Sequence, residues 1–140
     1  MPAPPGMECG DVLRILDYPF SDGCQASSKY LVVMGWHLEQ VTGFLTTSKE
    51  KWGRQRIEGC HPELGKYPSN YYLKVRNTPF HAGTWILLQP EFHSLPSVEG
   101  WKRRGKVACI CTLSRENVNA LKNCFRRSLD WACAYEHSLG

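Results

Sequence analysis

The sequence predicts a small, mainly β protein closed by one C-terminal α-helix. From Asp11 onward, short apolar runs alternate with turn-forming residues, the pattern of strands. Near the C-terminus the pattern changes. Val118, Leu121, Phe125, Leu129 and Ala132 recur at steps of three and four, the stripe of an amphipathic helix. Five or six short strands and one helix pack most simply as a strongly curved β-barrel with the helix against it, because closure removes unpaired sheet edges.

The elements follow in order. Met1–Glu8, rich in proline, is expected to be a flexible tail, and residues 9–140 a single domain. Asp11–Leu16 reads as the first strand, ended by Asp17 and Pro19, with a polar loop to Ser28. Tyr30–Met34 is apolar throughout and suits a central strand; Glu39–Thr46 partly alternates and suits a third. Glycines and prolines crowd Gly53–Asn70, which reads as an excursion with little structure of its own. Together with its flanks it forms an insertion spanning about residues 49–84. Tyr71–Val75, Thr84–Leu88 and Lys106–Cys111 complete the strands. Ser114 stands where a helix N-cap would, with Glu116 favoured in the first turn by the helix dipole.

A hydrophobic share of 42% supports a buried core and excludes wholesale disorder. No apolar run approaches the roughly 18–20 residues needed to cross a bilayer. Met1–Glu8 has neither the basic start nor the apolar stretch of a signal peptide. The expectation is a soluble, cytoplasmic protein away from membranes. Seven cysteines, an odd count without a secretory signal, predict reduced thiols rather than a disulfide framework. Cys60-His61 and Cys109-x-Cys111 lack the spacing of a zinc knuckle, so neither a metal nor a cofactor is expected. Along a regular strand Cys109 and Cys111 would share one face and pack as small apolar groups.

The net charge of +4 says little; its placement says more. Lys49–Arg56 holds four cations and one anion, and Trp101–Lys106 four cations and no anion, each with a tryptophan. Cations interleaved with aromatics suit single-stranded nucleic acid, where phosphates need charge and bases need flat faces. A solvated loop is the other reading of the same runs.

The order of motifs adds a family. Gly10-Asp11, the strand Val12–Leu16, Pro19-Phe20-Ser21-Asp22 and Ser28-Lys29-Tyr30-Leu31-Val32-Val33 resemble the N-terminal half of the MazF/PemK toxins. Leu45-Thr46-Thr47 resembles the small-residue motif ending their third strand, and Leu113-Ser114-Arg115-Glu116-Asn117 their C-terminal end. The likeness covers roughly Gly10–Ser48 and Ala108–Leu129 and leaves the middle unmatched. It implies an SH3-like barrel, a homodimer, a small acidic antitoxin as partner, and metal-independent cleavage of single-stranded RNA.

In such a reaction the ribose 2′-OH attacks the adjacent phosphate, and cations or hydroxyls stabilise the crowded phosphorane. Carried over, the two positions are Lys29 and Thr46, and Thr47 beside Thr46 is a further catalytic candidate. RNA contacts would come from Lys49, Lys51, Trp52, Arg54 and Arg56, and from Trp101, Lys102, Arg103 and Arg104, with Asp22 and His81 beside them. One departure matters. The family has Arg-Pro where this chain has Lys29-Tyr30, and lysine is a point charge without arginine's planar fork. Each site residue also has an ordinary reading: Lys29 as a solvated strand start, the threonines as strand-end residues, Asp22 as a turn cap, and His61, His81 and His93 as surface or turn histidines. A non-catalytic module binding nucleic acid or protein is therefore the alternative, and a metal-dependent module using the histidines and cysteines a third.

Overall fold

A computed structural model describes residues 6–19, 28–49, 55–61 and 69–127. Its elements in chain order are β1 (Asp11–Leu16), β2 (Ser28–His37), β3 (Gln40–Thr47), β4 (Gly59–His61), β5 (Asn70–Leu73), β6 (Thr84–Leu87), β7 (Glu91–Ser94), α1 (Leu95–Arg103), β8 (Val107–Thr112) and α2 (Arg115–Arg127). All strands join one antiparallel sheet in the order β4-β5-β6-β3-β2-β1-β8, with β7 beside β3. The mainly β architecture with a C-terminal helix stands. The sheet is open along this path, for no pairing among the described residues joins β4 to β8.

Side-chain alternation sends successive residues to opposite faces, and both faces are covered. On one, Val12, Val32, Met34, Phe44, Ile86 and Leu88 pack with Val118, Leu121, Cys124 and Phe125 of α2. On the other, Leu13, Ile15, Leu31, Val33, Val41 and Leu45 pack with Tyr18, Met7 and Val98 of α1. Two covered faces explain why β2 reads as continuously apolar. Gly43 permits the close approach of β2 and β3: a Cβ there would lie 2.7 Å from the Val32 carbonyl oxygen. At this point β3 also changes neighbour, pairing β7 through Gln40–Gly43 and β6 through Thr46 and Thr47.

Three elements were not expected. The helix α1 starts at Ser94, whose Oγ accepts the Ser97 N–H at 3.2 Å, with a proline in its first turn and Lys102 and Arg103 in its last. Pro96 and Gly100 obscure it in the sequence, although Leu95, Val98 and Trp101, at steps of three, pack on the same core as Leu13 and Ile15. β7 and β4 are only four and three residues long, and β4 falls in the segment expected to be irregular. Ser114 caps α2 as expected, its Oγ accepting the Asn117 N–H at 3.2 Å. The expected last turn at Leu129 and Ala132 lies outside the described residues.

Two cysteine expectations are corrected. Cys60 and Cys124 are joined by a disulfide, because pairing of β4 with β5 and packing of α2 bring their Cα atoms to 5.5 Å across 64 residues. Cys109 and Cys111 do not share a face. A bulge between Val12 and Leu13 sets Cys109 opposite Leu13 and Cys111 opposite Val12, which point to different faces.

Candidate functional site

One end of the sheet gathers the sequence-predicted residues. Ile15 pairs with both Lys29 and Val107, so the start of β2, the end of β1 and the start of β8 lie side by side. Here a cavity of about 230 Å³ opens between the start of β2, the end of β3 and the turn before β6. Lys29, Tyr30, Thr46, Thr47 and Lys49 line it, faced by Phe80, Gly83 and Thr84. Positions 29 and 46–49, matched separately in the sequence, thus meet at one place.

The pleat distinguishes the two threonines. Leu31 pairs with Leu45, and both belong to the α1-side core. Two residues outward on each strand, Lys29 and Thr47 continue that face. Tyr30 and Thr46 continue the opposite face, with Tyr30 edge-on to Phe80 and Thr46 paired with Ile86. Thr46 is only 5% exposed, whereas Thr47 is half-buried. Thr47 is held at three points. Its hydroxyl accepts the Lys49 N–H at 3.2 Å, its carbonyl accepts the Thr84 hydroxyl at 3.0 Å, and its backbone pairs with Trp85.

The neighbouring strands extend this face. Trp85 pairs with Tyr72, and their rings touch with centroids 5.0 Å apart. Trp85 Nε1 donates to the Gln55 carbonyl at 3.0 Å. The exposed Arg56 lies over the Trp85 ring, 4.9 Å from its centroid, and donates to the Tyr72 hydroxyl at 3.2 Å. Gly83, with φ of +96°, passes so close to Tyr72 that a Cβ would run into the phenol oxygen. Thr84, Phe80 and Gly83 are not marked as site residues by any sequence motif.

The remaining candidates separate. His81 is exposed in the turn, its Nδ1 3.2 Å from the Thr78 carbonyl oxygen, and does not line the cavity. Trp101 packs against the α1-side core and edge-on to His93 at 5.2 Å, a use that competes with base stacking. Lys102, Arg103 and Arg104 close α1, Arg103 and Arg104 being exposed. The chain then reaches Lys106, whose carbonyl accepts the Leu16 N–H at 2.9 Å and whose ammonium stands 3.3 Å from Asp17. That half-exposed ion pair is worth little in stability. Asp22, Lys51, Trp52 and Arg54 lie outside the described residues.

A second polar group sits away from the cavity. The buried Tyr18 donates its hydroxyl to Glu91 Oε1 at 2.8 Å, and His93 Nε2 stands 2.7 Å from the Tyr18 hydroxyl oxygen. With its one proton on Glu91, the phenol accepts from the imidazole N–H. Burial pushes the Tyr18 hydroxyl pKa up, helped by Glu91, and pushes that of His93 down, with Glu91 opposing. Burial also raises the thiol pKa values of Cys9, Cys109 and Cys111, holding them away from the reactive thiolate form. Among the described residues, no group of three or more His, Cys, Asp or Glu side chains stands together as a metal site would require, and no helix is long and apolar enough to cross a membrane.

Comparison with protein families, curated proteins and solved structures returns no match. The resemblance to the MazF/PemK toxins rests on the motifs themselves.

Proposed function

We propose that the cavity at this end of the sheet is the site of a metal-independent endoribonuclease acting on single-stranded RNA, in an SH3-like fold of the MazF/PemK kind. One observation carries the reading: Lys29 and the Thr46-Thr47 pair, 17 and more residues apart in sequence, line a single cavity. Lys49 at its rim and Arg56 one strand further provide exposed cations along the same face. A chain of phosphates laid across β2, β3 and β6 meets Lys29, Lys49 and Arg56 in turn, and its strong charge accounts for most of the affinity.

The chemistry needs only such groups. The 2′-oxygen attacks phosphorus, the 5′-oxygen leaves, and the products are a 2′,3′-cyclic phosphate and a 5′-hydroxyl. Lys29 neutralises charge that grows on the phosphoryl oxygens, and the Thr47 hydroxyl, held in place by the Lys49 N–H, donates to one of them. The proton lost by the 2′-OH passes to solvent or to a neutral amine, and the leaving 5′-oxygen takes one back. A homodimer, a small acidic antitoxin and a cytoplasmic location belong to this reading.

The decisive assay is incubation of purified protein with a single-stranded RNA in excess chelator. Cyclic-phosphate ends are expected, with loss of cleavage in Lys29→Ala. RNA left intact by the wild-type protein rejects the nuclease reading. A second reading is favoured by the lysine at position 29, which cannot grip two phosphate oxygens as an arginine fork does. It makes the same face a binding surface without cleavage, recognised by salt-dependent RNA affinity and no products.

A further inference from the structure

We propose that the Cys60–Cys124 disulfide is a thiol-exchange site whose redox state sets how firmly the Arg56-bearing wall of the cavity is held. The bond joins the three-residue edge strand β4 to α2, and β5 is the only strand that pairs with β4 among the described residues. A strand that short has few ladder hydrogen bonds, so the covalent tie is a large part of what fixes it.

Both ends of the bond lead to the cavity through contacts already described. From Cys60, the preceding Gly59 pairs with Tyr72, Tyr72 with Trp85, and Trp85 with Thr47, a single rung across four strands. Gln55 and Arg56, just before β4, are fastened to Trp85 and Tyr72 on that rung. From Cys124, the adjacent Phe125 packs on Phe44, two residues before Thr46. Opening the bond removes the covalent tie between β4 and the helix, so this wall then relies on non-covalent contacts, among them the β4–β5 pairing and the Arg56 contacts to Trp85 and Tyr72.

The two sulfurs differ in access. Cys60 is half-exposed, while Cys124 is 1% exposed in the α2-side core. A thiolate of a small dithiol therefore attacks the Cys60 sulfur, forming a mixed disulfide as the Cys60–Cys124 bond breaks. Cys124 leaves as thiolate and takes up a proton, which its apolar surroundings favour. The second thiol of the reductant then attacks its own sulfur in the mixed disulfide, releases Cys60 and closes a cyclic disulfide. Two electrons and two protons pass to the protein. In a reducing cytoplasm, a disulfide of this kind is transient and senses the thiol pool.

The test is amide hydrogen exchange on wild-type protein, oxidised or reduced with dithiothreitol, with cysteine alkylation mapped by mass. On reduction, residues 55–61 and 70–73 are expected to exchange at least about tenfold faster, with the β1–β2 hairpin unchanged. The double variant Cys60→Ala, Cys124→Ala should match the reduced protein under both conditions. Equal exchange of residues 55–61 in the two redox states overturns the proposal, as does alkylation of both cysteines in unreduced protein. The link to RNA rests on the function proposed above and is read separately, as weaker oligonucleotide binding on reduction. Exchange that responds to reduction in a protein that never binds RNA supports the switch and rejects the RNA reading.

Discussion

Lys29 and Thr47 stand on the same face of the β2–β3 hairpin, whereas the sequence likeness carries the paired role to Lys29 and Thr46. The Leu31–Leu45 pair sets the parity, and two steps outward on each strand preserve it. Thr46 turns instead toward Ile86 and the α2-side core.

This parity separates the effects of the two threonines. Thr47→Val is expected to lower RNA cleavage about 100-fold, with Thr47→Ser largely restoring it, since one hydroxyl donor to a developing oxyanion is worth about that much. Thr46→Val should change cleavage far less. Single-turnover rates at saturating RNA make the comparison, and equal losses in both variants contradict the assignment.

The turn between β2 and β3 holds Leu38 and Glu39 at φ of 49° and 64°, where most hairpins of this type carry asparagine and glycine. Leu38 is 72% exposed, so it contributes little packing in return. The double change Leu38→Asn, Glu39→Gly is expected to stabilise the fold by about 1 kcal/mol, because each left-handed non-glycine residue costs about that much and the flexibility of glycine takes part of it back. Urea denaturation midpoints at constant slope measure it.

Gly83 is the converse case. Its positive φ and its approach to the Tyr72 hydroxyl make Gly83→Ala destabilising by about 1–3 kcal/mol. Adding Tyr72→Phe should recover only part of the steric cost, since the ring Cζ still lies 2.5 Å from the Cβ position, the backbone strain stays and the Arg56 hydrogen bond is lost. A double-mutant cycle reads the coupling.

The Tyr18–Glu91–His93 group makes stability depend on pH. The folded pKa of His93 lies below its ordinary value of 6.5, so the unfolded chain binds the proton first. Stability therefore falls as pH drops through 6.5 toward the folded value, and is retained above it. Tyr18 is shifted upward from 10.0, so the unfolded chain ionises first at alkaline pH and stability falls again as pH climbs past that value. His93→Gln should flatten the acid limb alone, as followed by thermal melts from pH 5 to 8.

Reduction of the Cys60–Cys124 bond is expected to cost stability as well as local order. Loop-closure entropy for a separation of 64 residues corresponds to about 4 kcal/mol. Denaturation with and without reductant gives the value, and a change near zero means that strain in the folded state or residual structure in the reduced unfolded chain offsets the entropy of closure.

Much of the fold was legible along the chain. The strand at Asp11–Leu16 was recovered to the residue, and five further strands and the start of α2 to within a few residues, because pleat and helix periods are written locally in the order of apolar side chains. Ser114 and Glu116 announced their helix for the same reason. Of the site, Lys29, Thr46, Thr47 and Lys49 could be found, each beside a strand end. The charge of Arg56 is legible in the sequence, but its seat over Trp85 is not, since nothing near residue 56 refers to residue 85.

What sequence alone determined, then, is the set of strands, the terminal helix and the residue types gathered at strand ends. Tertiary structure decided which of them meet. A bulge separated Cys109 from Cys111, β3 divided its edge between β6 and β7, and the packing of α2 carried Cys124 to Cys60. Local periodicity depends on a residue and its near neighbours, whereas register and strand neighbours depend on partners dozens of residues away. The cavity is a product of the second kind.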